Sequence, residues 1–141
     1  MCANNLAVVL LNRPSRTRAE AAEAEILARR AVAVNPTYDS AFTTLGTILA
    51  ARQDDRGAEA AFIEAMRLAP ERLGAAANLG AIYARNRRYT EAMPLLRAAW
   101  AKQPDTPWLR TNLGVVLRDQ GIVLSYAVVR FTGGLYRIKS P

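Results

Sequence analysis

The residues of this 141-residue chain that could do chemistry include a column of four polar side chains, each followed directly by a leucine. They are Asn5, Thr44, Asn78 and Asn112, and the last three are spaced 34 residues apart. A carboxamide offers both a hydrogen-bond donor and an acceptor. A column of such groups could therefore hold the main chain of a peptide without reading its sequence. The alternative is that asparagine stands here only because it suits helix–helix packing.

Further side chains are candidates for binding. Thr47 follows Thr44 by three residues, which places both on the same side of a helix. Arg85 and Arg118 could each bind a carboxylate, because the guanidinium group can donate two parallel hydrogen bonds. Trp108 is a large aromatic residue of the kind that protein interfaces favour, and its alternative role is to pack beneath the C-terminal segment.

Catalytic and metal-binding groups are scarce. The chain has no histidine, so it lacks histidine-based acid–base pairs and triads. Its single cysteine, Cys2, can form neither an internal disulfide nor a cysteine-rich metal site. No glycine-rich phosphate loop is present, and Asp54 and Asp55 indicate a turn. We therefore predict that the protein is not an enzyme and uses no cofactor, metal or small-molecule substrate.

A repeat of 34 residues carries the candidate binding residues. This period separates the prolines at 36, 70 and 104, and it also separates the glycines at 46, 80 and 114. A fixed period in this range is typical of stacked repeats rather than of one irregular domain.

Each unit is predicted to contain two amphipathic helices. Phe42, Leu45, Gly46 and Leu49 follow the i, i+3, i+4, i+7 spacing of one helix face. The later half of the same unit shows similar helical spacing, and the unit closes with a proline that must stop its second helix. Thr106 and Pro107 indicate a helix start, and Pro94 can be accommodated near a helix start if Thr90 is the cap.

The prediction is thus an all-α, right-handed superhelical stack of antiparallel helix pairs. Its units are a degenerate first repeat at 1–38, full repeats at 39–72 and 73–106, the first helix of a partial repeat at 107–120, and a divergent tail at 121–141. The first unit is longer by about five residues in the Arg13–Arg18 region, which loops accept at little cost in free energy. In the tail, Ile122–Phe131, the glycines after Thr132 and Leu135–Lys139 have the composition of a β-hairpin. Their position in the repeat is that of a capping helix, and both alternatives stay open for residues 122–139.

The charge of the chain is uneven. The formal net charge is +7, yet residues 1–71 carry eight basic and nine acidic side chains, and residues 72–141 carry eleven and three. A basic half could attract an acidic peptide, nucleic acid or an anionic lipid, or it could serve solubility alone. No run approaches the roughly 18 apolar residues of a membrane span.

These residues resemble the tetratricopeptide repeat family. Its 34-residue unit favours an aromatic residue, Leu-Gly and then tyrosine in the first helix, followed by small alanines, a large apolar residue and proline in the second. One unit matches with Phe42, Leu45, Gly46, Leu49, Ala58, Phe62, Ala65 and Pro70. The next matches with Leu79, Gly80, Tyr83, Ala92, Leu96, Ala99 and Pro104.

The resemblance implies a non-catalytic scaffold that holds a peptide of a partner protein in a concave groove lined by first helices. An acidic peptide is one candidate for this partner. The groove would include Asn5, Thr44, Thr47, Asn78, Arg85, Trp108, Asn112 and Arg118. The main alternative is self-association through the open ends of the stack, which would make a homo-oligomer. Nucleic-acid binding through the basic half is the least favoured.

The single cysteine favours a reducing compartment and hence the cytoplasm, with the periplasm as an alternative for a longer chain. The alanine- and arginine-rich style resembles repeats of bacterial assembly proteins.

Overall fold

The computed structural model describes residues 2–14, 17–104 and 106–119. Within these residues the chain forms seven α-helices and no strand, which confirms the predicted all-α fold. The helices are α1 (Cys2–Leu11), α2 (Arg18–Val34), α3 (Asp39–Ala51), α4 (Asp55–Leu68), α5 (Leu73–Arg85), α6 (Tyr89–Lys102) and α7 (Pro107–Asp119).

The helix ends coincide with prolines and capping residues in the sequence. The second helices α2, α4 and α6 each end two residues before a proline, since proline cannot continue the helical hydrogen bonding. Helix α7 begins at Pro107, as predicted. Helix α2 begins at Arg18, where Thr17 and Glu20 form a reciprocal capping box that satisfies two backbone N–H groups at the helix start.

Short turns join the two helices of the middle units. Residues 52–54 connect α3 to α4, and residues 86–88 connect α5 to α6. Gln53 and Arg87 hold the same place in these turns and both have left-handed backbone, with φ of 64° and 60°. Helix α1 ends at Leu11 and α2 begins at Arg18, so more residues separate these helices than separate α3 from α4, in the region where the sequence shows its extra residues.

The predicted cap of α6 was wrong. The cap residue is Arg88, whose carbonyl oxygen accepts from the Ala92 N–H at 3.0 Å. Thr90 is therefore the second helical residue, and Pro94 lies further into the helix than a Thr90 cap would place it. The side chain of Arg88 donates to Glu59 of α4 and to Glu91 in the first turn of α6.

Large side chains cover two glycines within the helix pairs. A Cβ atom on Gly46 would lie 2.7 Å from Cε1 of Phe62, and one on Gly80 would lie 2.9 Å from Cγ of Leu96. Phe62 and Leu96 are almost wholly buried. The glycines thus allow the first and second helix of a unit to approach closely, and the large side chain of the second helix fills the seam.

The helices form two layers. The first helices α1, α3, α5 and α7 contact one another in series, whereas the second helices α2, α4 and α6 make no mutual contacts within the described residues. Each second helix instead packs between the first helices of its own and the following unit. Neighbouring units therefore converge on the side of the first helices, which makes that side the inner wall of the stack. The handedness of the superhelix stays a prediction. The helix and hairpin alternatives for residues 122–139 lie outside the described residues.

Candidate functional site

The inner wall presents the side of each first helix that faces away from the core. On α3 the buried residues include Leu45, Ile48 and Leu49, and the opposite side presents Thr43 and Thr47, which are partly exposed. On α5 the corresponding residues are alanines, of which Ala81 is the most accessible. On α7 they include Trp108, Thr111 and Val115. The inner wall thus consists of polar residues on α3, small residues on α5 and an aromatic residue on α7.

Threonine hydroxyls on this wall donate to their own helices. The hydroxyl of Thr43 donates to the Asp39 carbonyl at 3.1 Å, and that of Thr47 donates to the Thr43 carbonyl at 2.9 Å. On α7 the hydroxyl of Thr111 donates to the Pro107 carbonyl at 3.2 Å. A hydroxyl has one proton but two lone pairs, so each of these oxygens remains available as an acceptor.

The column of polar residues that precede leucine lies beside this wall, in the seams between first helices. The Nδ2 group of Asn78 on α5 donates to Oγ1 of Thr47 on α3 at 3.5 Å. Thr44 is buried and donates to the Ser40 carbonyl at 2.9 Å. Asn112 is partly buried, and Asn5 is exposed on α1. The structure therefore gives Asn78 a helix-bridging contact, which is the packing role that the sequence left open.

The two predicted arginines lie at helix ends and have carboxylate partners. Arg85 at the end of α5 forms an ion pair with Asp55 at the start of α4, and Asn86 donates to the same carboxylate at 2.7 Å. Arg118 pairs with its neighbour Asp119 at 3.0 Å. Both arginines stay largely exposed, and Trp108 has 43% of its surface accessible.

A cluster around Glu59 was not found by sequence reasoning. Arg88 donates to Glu59 at 2.8 Å and to Glu91 at 2.5 Å, and its guanidinium lies 4.1 Å from the ring centroid of Tyr83. The Tyr83 hydroxyl donates to Glu59 at 2.7 Å. These contacts tie α4 to α5 and to the start of α6. The cluster is therefore a contact between units, and Arg85–Asp55 and Arg52–Glu25 make further ion pairs between successive units.

The cluster shifts the ionisation of its members. Hydrogen bonds from Arg88 and Tyr83 lower the pKa of Glu59 below its usual value. Burial, together with the hydrogen bond to the Glu59 carboxylate, raises the pKa of Tyr83 to about 12. The hydrogen bonds to Glu91 and Glu59 raise the pKa of Arg88. At neutral pH the cluster thus holds one cation between two carboxylates with a neutral phenol beside them.

We expect the protein to lose stability between about pH 10 and pH 12 because of Tyr83. The folded chain keeps the phenolic proton with a pKa of about 12, whereas the unfolded chain releases it near its ordinary value of about 10. This contribution is complete below the unfolded pKa and disappears as the pH rises through the folded one. The loss should be about 2 kcal/mol.

The Tyr83→Phe variant provides the comparison for this expectation. It should be less stable than the wild type near neutral pH, because it lacks the hydrogen bond to Glu59. As the pH rises towards about 12, the two proteins should converge, since only the wild type has a phenol to lose at this site. Urea unfolding of both proteins across this range measures the effect. Parallel curves of stability against pH would contradict it.

The described residues offer few groups for other kinds of site. No cluster of three or more histidine, cysteine, aspartate or glutamate residues able to hold a metal ion occurs among them. None of the helices in the described part of the chain has the length and apolar character needed to cross a membrane. Two arginines of the basic half contact other side chains of the protein. Arg72 forms an ion pair with Asp39 at 3.2 Å, and the guanidinium of Arg110 lies 5.9 Å from the centroid of the Trp100 ring.

Residues 72–103, which hold α5 and α6, match the family model of the tetratricopeptide repeat. The same pairing of helices precedes them in α3 and α4 and in α1 and α2. The α5–α6 helix pair is a tetratricopeptide repeat. No curated protein matches the chain. Tetratricopeptide repeats generally serve as non-catalytic protein–protein interaction modules, and the repeat at residues 72–103 suggests such a module here.

Proposed function

We propose that this protein holds an extended peptide segment of a partner protein against the inner wall formed by α3, α5 and α7. The observation that supports the proposal is the two-layer packing, in which only the first helices contact one another along the stack. Such packing gives one continuous surface built from several units. An extended segment can contact many side chains on a surface of this kind, as repeat proteins with concave faces do.

The composition of the wall also favours a peptide. The hydroxyls of Thr43 and Thr47 on α3 can orient a peptide through hydrogen bonds. The small side chain of Ala81 leaves room for the peptide to lie close to α5. Trp108, with 43% of its surface accessible, offers an aromatic contact at the end of the wall on α7. A few polar groups beside apolar surface are typical of binding sites that orient a ligand.

The Ala81→Trp variant tests the site. An indole at this position would occupy the centre of the wall, so we expect at least about a hundredfold loss of affinity for peptides that bind there, equivalent to about 2.7 kcal/mol. The probes are peptides selected on the immobilised wild-type protein from a displayed library of random short sequences. Their affinities are then measured by fluorescence polarisation for each variant.

The matched control is Ala60→Trp, which places the same indole on an exposed position of the outer helix α4. It should bind the selected peptides as the wild type does, and both variants should give helical circular dichroism spectra like that of the wild type. Failure to select any peptide, or equal loss of affinity in the two variants, would overturn the proposal.

Self-association through an open end is a second candidate, favoured by the exposure of α1. Val9 is 59% exposed, whereas the residues at its repeat position in the later units, Ile48, Ile82 and Val116, are at most 4% exposed. In those units a second helix of the preceding unit packs against the first helix. A second copy of the chain could cover Val9 and its neighbour Leu6 in a similar way. Sedimentation velocity separates the candidates, because a groove binder is compatible with a monomer and an end-stacking chain is not.

A further inference from the structure

We propose that the inner wall recognises its ligand through hydrogen-bond acceptors, and that the bound segment is an uncharged, extended peptide whose free main-chain N–H groups face α3. This inference rests on the proposed function and adds the chemistry of the partner. It differs from the acidic partner that the charge of the C-terminal half favours. The evidence is the direction of the hydrogen bonds on the wall.

The threonines of α3 have already used their protons. Thr43 donates to Asp39 at 3.1 Å, and Thr47 donates to Thr43 at 2.9 Å. The Nδ2 group of Asn78 points to Thr47 Oγ1 at 3.5 Å, so it also spends a donor inside the protein. What remains at the surface of this part of the wall is mainly oxygen with free lone pairs, namely the two threonine hydroxyls and the Asn78 carbonyl, beside the second N–H of Asn78. Such a surface is complementary to N–H groups and unfavourable for carboxylates.

The cations near the wall do not reverse this preference. Helix α3 contains no lysine or arginine. Arg72, which reaches the start of α3, donates to Asp39 at 3.2 Å and to Ser40 at 3.1 Å. Arg85 lies at the far end of α5, where it pairs with Asp55. An acidic segment lying along α3 would therefore meet acceptor oxygens and cations that already contact carboxylates.

The spacing of the two hydroxyls suits an extended peptide. Thr43 and Thr47 are four residues apart on one helix, so their oxygens are separated by about 6 Å along its axis. In an extended chain, N–H groups that point to the same side recur at every second residue, about 6.6 Å apart. Two alternate N–H groups of a peptide that runs beside α3 can therefore reach both oxygens. Because these contacts involve the main chain, they place little demand on the side chains of the ligand.

The test uses the double variant Thr43→Val/Thr47→Val, which removes both oxygens while keeping the shape of the side chains. Loss of two main-chain hydrogen bonds should weaken binding of the selected peptides about tenfold or more. The matched control is Thr44→Val. This residue lies on the same helix and makes the same kind of bond to the residue four positions earlier, at 2.9 Å, but it is buried. Its replacement should leave peptide affinity unchanged.

Methylation of the ligand gives the complementary measurement. N-methylation of alternate main-chain nitrogens in an uncharged selected peptide should reduce binding to the wild type on one set of nitrogens and not on the other. The double variant should no longer distinguish these two sets. Binding should also change little with added salt, because no net charge is paired.

The outcomes separate this inference from the proposed function. If the selected peptides are acidic, bind less tightly in salt and keep their affinity for Thr43→Val/Thr47→Val, the acceptor wall is overturned while groove binding stands. If no peptide is selected, or Ala81→Trp binds every peptide as well as the wild type does, the groove itself is overturned.

Discussion

Replacement of Gly80 by leucine is expected to lower the free energy of unfolding by about 3 kcal/mol. Even a Cβ atom at this position would lie 2.9 Å from Cγ of Leu96 and 3.3 Å from Cβ of Leu95. Leu96 is fully buried, so it has no free space into which to move. The added side chain must separate α5 from α6, and separating these helices also disturbs the contacts of α5 with its neighbours. Chemical denaturation followed by circular dichroism measures the change.

The control for this prediction is Gly74→Leu. Gly74 belongs to the same helix, is exposed, and a Cβ atom there meets nothing within 4 Å. Leucine at this position gains helix propensity without overpacking, so the variant should be as stable as the wild type or slightly more stable. Equal destabilisation by the two substitutions would show that Gly80 is not the point of closest approach in its unit.

Replacement of Phe62 by alanine is expected to cost about 3–5 kcal/mol, the largest effect of any single substitution considered. The ring is 1% exposed and covers Gly46 of the adjacent helix. Its loss leaves a cavity between α3 and α4, because Gly46 has no side chain with which to fill it. The free energy of unfolding by urea measures this cost.

The adjacent residue provides the comparison for Phe62. Ile63 lies on the same helix but is 50% exposed, so Ile63→Ala removes little buried surface and should cost less than about 1 kcal/mol. A similar cost for the two variants would mean that the seam between α3 and α4 is not packed around the aromatic ring. The stability of the stack would then come from contacts other than those between Gly46 and Phe62.

The fold was largely predictable because the same sequence signals for helix faces and helix ends recur in successive units. Phe42, Leu45 and Leu49 show one helix face, and the prolines at 36, 70 and 104 mark the ends of the second helices. Each unit therefore checks the interpretation of the others. The close approach at Gly46 and Gly80 was also predictable, since a glycine on an apolar helix face has few other uses.

Details that depend on partners distant in sequence were harder to predict. Arg88 occupies the position before α6, and its side chain contacts Glu59, which is 29 residues earlier; no local pattern in the sequence joins the two residues. The capping box of Thr17 and Glu20 is different, because its spacing is visible in the sequence and could have placed the start of α2. The direction of the threonine hydroxyls could not be inferred at all. A hydroxyl may donate or accept, and only its surroundings decide which it does.

In the candidate site, too, local features were predictable and contacts between units were not. Helical spacing placed Thr47 among the candidates and the residue type placed Trp108 there; in the structure Thr47 is partly exposed and Trp108 is exposed. The same spacing could not show that Asn78 bridges α3 and α5, or that Arg85 pairs with Asp55. These contacts depend on how one unit lies against the next. A binding surface shared between units is therefore less predictable from sequence than the core of a single unit.

The most direct test of the central claim, that the inner wall of first helices is the binding surface, is methyl-group NMR of the chain with and without a selected peptide. The account predicts that the methyl resonances of Thr43, Thr47 and Ala81 shift on binding, while those of Ile26 and Ile63 on the outer helices do not. Shifts confined to Ile26 and Ile63, with the inner methyl groups unchanged, would contradict it.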